Sequence, residues 1–96
     1  MGQVSNTDMD FKINAEVLKA LSHPVRLCIV HRLINCKGCN VSNMQNCLGV
    51  PQSTISQHVA TLRRFGIIAG ERDGLKIIYK VVNPKARAII DVLFND

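Results

Sequence analysis

The most reactive side chains in this chain are four cysteines, three of which fall close together: Cys36-Lys37-Gly38-Cys39, then Cys47. A Cys-x-x-Cys turn lets two sulfurs converge on one soft ion or on each other. Cys39 is expected at the amino end of a helix, where backbone N–H groups and the helix dipole favour thiolate, and Lys37 adds positive charge nearby. Cys47 as a third sulfur would complete a trigonal thiolate site for arsenite, or three positions of a four-ligand cadmium or zinc site. The same thiols could instead form a redox or reactive-sulfur switch through a Cys36–Cys39 or related bond. A third reading makes them small core or loop residues. Cys28, on an apolar helix face, reads that way by itself, and His23 and His31 read as capping or packing residues. Spacing leaves these readings open, including whether Cys47 faces the loop.

A second set of residues suits a polyanion. The chain carries a net charge of +5. Between His23 and Gly66 stand Arg26, Arg32, Lys37, Arg63 and Arg64 and no acidic residue, so nothing there repels a phosphate backbone. Within this stretch Ile55, Val59 and Leu62 recur at helical spacing as a core stripe. Opposite them lie Thr54, Gln57, His58, Thr61 and Arg64, hydrogen-bonding groups and a cation without Asp or Glu. That is what a helix needs in a major groove, where base edges offer donors, acceptors and thymine methyls. A winged protein-interaction module that had lost DNA binding is the alternative of another class, and carboxylates on this face would mark it. Catalysis is not expected: there is no glycine-rich phosphate loop, and the Cys-x-x-Cys lacks a βαβ context.

The elements that must position these residues can be read from the rest of the pattern. A length of 96 residues makes one domain, expected as a flexible arm over 1–10 and a folded unit over 11–96. Ala15, Leu18 and Leu21 predict a first helix, and Ser22-His23-Pro24 a joint. A second helix follows through about Ile34, with Val25, Cys28, Ile29 and Leu33 inward. Val41, Met44 and Leu48 predict a short third helix ended by Gly49, and the fourth begins near Ser53. Strands over Ile67–Arg72 and Leu75–Val82 flank the turn dipeptide Asp73-Gly74. Arg72 and Lys76 stand beside that turn, where a wing tip could meet a phosphate or a minor groove. A last helix from Pro84 carries Ala86, Ile89, Ile90, Leu93 and Phe94, a stripe apolar enough to pack against a twin chain. The whole is mainly α with a small β-hairpin, in the order α-α-α-α-β-β-α of a winged helix-turn-helix. No segment suits a bilayer or a secretion signal, so the expected compartment is the cytoplasm, with reduced thiols.

The segments Leu18-Lys19-Ala20-Leu21-Ser22-His23-Pro24-Val25-Arg26-Leu27 and Leu48 through Ile68 resemble the opening and the helix-turn-helix block of the ArsR/SmtB repressors. Gly70-Glu71-Arg72-Asp73-Gly74 and Ile78-Tyr79 are similar to that family's wing. The resemblance runs from about residue 13 to the end. It implies a homodimer joined through the first and last helices, here Leu18, Leu21, Ile89, Ile90, Leu93 and Phe94. It also implies repression through double-stranded operator DNA, released by an inducer. Gln52, Ser53, Thr54, Ser56, Gln57 and His58 match the family's DNA-meeting positions, with Ser53 and Gln57 for base edges and Thr54 and His58 for base or backbone. Arg63 and Arg64 would touch phosphate or the rim. The family's arsenic and cadmium Cys-x-Cys pair falls on Asn40 and Ser42, and its last-helix zinc site finds Asp91 but no histidine. Neither familiar metal site is present in its usual form, so an inducer, whether an ion such as arsenite, Cd or Zn or an oxidant, would have Cys36, Cys39 and Cys47 to act on, unless these residues only pack.

Overall fold

The joint between the first two helices shows how local chemistry sets the architecture. Pro24 occupies the first position of a helix, where its missing N–H costs nothing. His23 caps that helix, its Nδ1 accepting from the Val25 backbone N–H at 3.1 Å. Ser22, also in the joint, turns its hydroxyl back to the Lys19 carbonyl at 3.3 Å. Arg26 reaches across the joint, Nε donating to the Ala20 carbonyl at 2.6 Å and Nη2 to that of Lys19 at 3.4 Å. Terminal carbonyls of the first helix thereby gain partners that the helix itself cannot supply.

In the computed structural model the chain runs α1 (Gly2–Leu21), α2 (Pro24–Cys36), two 3₁₀ turns (Val41–Met44 and Cys47–Gly49), α3 (Gln52–Arg64), β1 (Ile68–Asp73), β2 (Lys76–Val81) and α4 (Pro84–Phe94). The structure describes residues 2–36, 39–44 and 47–95, the side chains of 2–7, 42 and 43 excepted. Lys37 and Gly38, the centre of the Cys-x-x-Cys turn, lie outside the described residues, as does the side chain of Ser42. The element order is the expected one: a helical body carrying a two-stranded antiparallel hairpin. Among the described residues, no helix is long and apolar enough to cross a membrane.

Two elements differ from the sequence reading. α1 extends back to Gly2 through the stretch expected as an arm, with Asp8, Met9, Asp10 and Phe11 all exposed. A helix satisfies its backbone internally, so it can run on through polar sequence without a packing partner. The third helix is replaced by the two 3₁₀ turns. Leu48, expected inward, is 61% exposed and takes φ 53°, followed by Gly49 at φ 67°. Met44 and Cys47 fill the core, while the left-handed backbone at Leu48 and Gly49 turns Leu48 out.

The core joins Ile29, Val30 and Leu33 of α2 to Ile55, Val59 and Leu62 of α3, closed below by Ile67, Tyr79, Val81, Ala86 and Ile90. Asn83 fastens α4 by accepting from the Lys85 and Ala86 N–H groups, both at 3.0 Å. The hairpin pairs Ile68 with Val81 through Asp73 with Lys76, so its turn is Gly74-Leu75, one residue later than expected. Gly74 takes the first central position at φ 66°, which suits glycine, and Leu75 points wholly to solvent. Gly70 lies opposite Tyr79; a Cβ there would stand 2.8 Å from Ile77 Cγ2 and 2.8 Å from Tyr79 Cε1. Tyr79 is buried and cannot swing aside. Gly70→Val should therefore lower stability by about 1–3 kcal/mol through overpacking, read from urea unfolding midpoints; an unchanged midpoint would contradict this packing.

Candidate nucleic-acid interface

α3 is sealed on one side and open on the other. Ile55 and Leu62 are fully buried and Val59 nearly so, while Gln52, Ser53, Ser56, Gln57, Arg63 and Arg64 are exposed. Thr54 and Thr61 are half-buried at the margins, and the Thr61 hydroxyl donates to the Gln57 carbonyl at 3.2 Å. The helix has no side-chain N-cap; the Thr54 and Ile55 N–H groups both donate to the Pro51 carbonyl, at 3.0 and 3.1 Å. Arg64 lies over the Phe65 ring, its Cζ 5.5 Å from the centroid, which steadies a cation at the far end. Arg72 and Lys76 are both exposed near the hairpin tip. Exposed cations thus stand at the carboxyl end of α3 and near the tip of the hairpin.

His58 stands apart from this open face. It is half-buried, with its ring 4.2 Å from that of His23 and its Nδ1 3.3 Å from Arg26 Nη1. Arginine can only donate, so Nδ1 accepts and the neutral ring carries its proton on Nε2. Burial, with His23 and Arg26 beside it, pushes the imidazole below its ordinary value of 6.5. The Arg26 guanidinium therefore touches α1 and α3 at once, joining the carbonyls of Lys19 and Ala20 to the recognition helix. Sequence reasoning counted Arg26 only among the cations of the acid-free stretch. No local spacing relates it to His58, so nothing in the linear pattern could have revealed the contact.

The cysteines divide into two groups, not the three-sulfur set expected. Cys36 and Cys39 are joined as a disulfide, with Cα atoms 6.5 Å apart. Cys39 opens no helix; it is buried and bridges β2, its N–H donating to the Tyr79 carbonyl at 3.2 Å and its carbonyl accepting from the Tyr79 N–H at 2.8 Å. The disulfide therefore ties the end of α2 to the wing. Cys47 is fully buried, and Cys28 packs against the same core. Among the described residues no three His, Cys, Asp or Glu side chains are grouped to hold a metal ion. The last-helix site does not fit one either, since the Asp91 carboxylate accepts from Asn95 Nδ2 at 2.7 Å and no histidine is on α4.

A model of the helix-turn-helix domain matches residues 21–71. The transcriptional repressor PagR of Bacillus anthracis is 41% identical over 85 residues, covering 88% of this chain and 85% of that protein. Its crystal structure superposes with a TM-score of 0.80, covering 88% of this chain and 97% of that one. The HTH-type transcriptional regulator YgaV of Escherichia coli (strain K12) is 38% identical over 81 residues, 84% of this chain and 82% of that protein. This chain belongs to the winged helix-turn-helix transcriptional regulators. The crystal structure of the repressor BigR from Xylella fastidiosa agrees, at 34% identity and a TM-score of 0.74 over 93% of this chain and 89% of that one. As a member of this family it is a DNA-binding transcriptional regulator and not an enzyme, in keeping with the sequence reading.

On this winged helix-turn-helix chain the outward apolar face differs in part from the one expected. Leu21 and Ile90 are buried within the chain's own core, 3% and 1% exposed, so they cannot lead an interface. The α4 stripe is wide enough to divide: Ala86 and Ile90 turn inward, and Val92, Leu93 and Phe94 stay exposed beside half-buried Ile89. Leu18 of α1 continues that outward patch. Val92, three residues beyond Ile89, was readable from helical spacing but was passed over. Phe94 also stacks on His31 of α2, with centroids 4.6 Å apart.

The His58 geometry predicts an acid sensitivity with a definite sign. A proton on Nδ1 would remove the acceptor facing Arg26 and add a cation beside it. The unfolded chain binds that proton more readily, so stability falls as pH drops through and below 6.5 toward the depressed folded value. The thermal midpoint should fall more steeply between neutral and mildly acidic pH in the wild type than in His58→Gln; equal slopes would remove His58 as the cause.

Proposed function

We propose that this protein is an ArsR/SmtB-type repressor: a cytoplasmic homodimer that grips operator DNA through α3 and releases it when its thiols change state. The observation that carries the reading is α3 itself, with three aliphatic side chains sealed inward and an outer face that has no carboxylate. Ser53 and Gln57 are both exposed and offer hydrogen-bonding groups to base edges. Gln52, Thr54, Ser56 and Thr61 line the same helix, and the uncapped first turn suits a phosphate. Arg63, Arg64, Arg72 and Lys76 supply backbone contacts. His58 acts here as a positioning residue, because Arg26 and His23 occupy it.

The dimer reading rests on Leu18, Ile89, Leu93 and Phe94, joined by Val92, as an apolar surface that a second copy would cover. Repression is the activity that the names of PagR and BigR carry, and it comes to this chain by likeness. For the inducer, the bonded pair Cys36–Cys39 favours an oxidant or reactive sulfur species over an ion. Arsenite, cadmium or zinc would not find the expected third sulfur in Cys47, which has no exposed surface. Breaking or forming the Cys36–Cys39 bond changes the tether between α2 and the wing, which gives two states of different affinity for DNA.

A duplex recovered from a randomised pool supplies the operator for the test. Ser53→Ala with Gln57→Ala should weaken its binding by roughly 100-fold, at ~1–3 kcal/mol per base contact, while the dimer mass in solution stays the same. Polysulfide added to the reduced dimer should release the duplex, and Cys36→Ser should abolish that response. Retained binding in the double variant would refute the DNA assignment. Release by arsenite or cadmium but not by polysulfide would overturn the redox reading and leave the ion.

A further inference from the structure

Cys28 and Cys47 lie in parts of the sequence that no spacing rule relates, yet the fold packs them against one core, close enough to influence each other. Cys47 opens the second 3₁₀ turn and has no exposed surface. Cys28, on α2, is half-buried and opens into a groove that also reaches Arg32, Cys36 and Cys39. Arg32 carries its positive charge close to both sulfurs and lines the groove beside Cys28. One thiol with solvent access, a guanidinium at its side and a second thiol behind it make a paired site, not a lone cysteine. Both sulfurs belong to the packed body, so neither depends on the residues of the Cys-x-x-Cys turn.

We propose that Cys28 and Cys47 are a second dithiol, an oxidation site that closes to an intramolecular disulfide and pins the entry of α3 to α2. The oxidant is a hydroperoxide, with hydrogen peroxide as its simplest form. Cys28 loses its thiol proton to solvent, and its sulfur attacks one peroxide oxygen. The O–O bond breaks, leaving Cys28 as a sulfenic acid and releasing hydroxide, which takes up a proton as water. The Cys47 sulfur then attacks the Cys28 sulfur; the S–O bond breaks and the leaving hydroxide departs as water with the Cys47 proton. Two thiols give up two electrons and one disulfide forms, while one peroxide becomes two waters.

The two sulfurs cannot exchange roles. Burial first, then the neighbouring Cys28, pushes the Cys47 thiol up to about 12 against the pull of Arg32, so it stays protonated and waits as the resolving partner. Cys28 has the solvent access that the attacking sulfur requires and Cys47 lacks, while Arg32 stands near both. The position of the bond gives it a consequence. Cys47–Gly49 lead through Val50 and Pro51 into the first residue of α3, and Leu48 and Gly49 hold left-handed backbone there. A covalent tie at Cys47 would fix that turn to α2. The Cys36–Cys39 bond acts elsewhere, on the link between α2 and the wing. This inference extends the thiol reading above and rests on it for any effect on DNA, but not for its chemistry.

The test is chemical and uses the Cys36→Ser/Cys39→Ser double variant, so that only this pair can react. The reduced variant is treated with hydrogen peroxide, alkylated with iodoacetamide and mapped without reduction by peptide mass spectrometry. Both thiols should disappear together, with a monomeric cross-linked Cys28–Cys47 peptide that is lost on adding dithiothreitol. Adding Cys28→Ser to that background should leave Cys47 reduced under the same treatment, with the helical circular dichroism unchanged. Two thiols still open to alkylation, a bond only between chains, or Cys47 oxidised without Cys28 would each overturn the proposal. None of these outcomes depends on whether the selected duplex is bound, so this site and the DNA reading fail separately.

Discussion

Ile55, Val59 and Leu62 hold α3 to the body, and almost everything else about the molecule depends on that attachment. Burying an aliphatic side chain contributes about 1.5–3 kcal/mol, whereas an isolated helix of this length is marginal in water. α3 is polar over the rest of its surface, with two arginines in its last turn and no acid to offset them. Its helical state therefore comes from the core, and its outer face is free to be chemically specific without a folding cost. Stability and recognition sit on opposite sides of one short element. Substitutions on the inner side act on both, and those on the outer side act mainly on the partner.

Attachment alone does not set orientation. Arg26 does this from α2, bonding two α1 carbonyls and the ring of His58 on α3. A second constraint comes from the 3₁₀ turns, where Met44 and Cys47 are buried just before the chain enters α3. A third comes from Cys39, whose backbone pairs with Tyr79 of the wing while its sulfur is bonded to the end of α2. Each constraint carries groups whose chemistry can change: a proton on His58, or electrons on the cysteine pairs. A device built this way can bias two arrangements of α3 and wing only as far as the changed group interacts differently with each.

The α3 stripe was legible because three aliphatic residues at i, i+4 and i+7 stand out against a polar background. The hairpin was legible from Asp73-Gly74, although the register shifted by one because Gly74 takes the first turn position and not the second. Leu48 misled because apolar character was read as burial. Two successive left-handed residues, Leu48 and Gly49, turn it outward, and no composition rule shows a non-glycine residue adopting that backbone. Ile90 was placed on an outer face because the five-residue α4 stripe does not reveal where it divides between core and surface, and Leu21 because the family resemblance put the first helix in the dimer joint. The pairing of Cys47 with Cys28 was invisible for a different reason. It is a tertiary contact, created by the fold, between residues with no common periodicity.

The central claim is that the open side of α3 reads base edges from the major groove. The most direct measurement is interference: guanine and adenine in the selected duplex are replaced, one position at a time, by 7-deaza analogues that lack the major-groove N7 acceptor. Binding should fall sharply at clustered positions in two half-sites about one helical turn apart or a multiple of it. Undiminished binding at every position, with loss only when minor-groove groups are altered, would contradict the account.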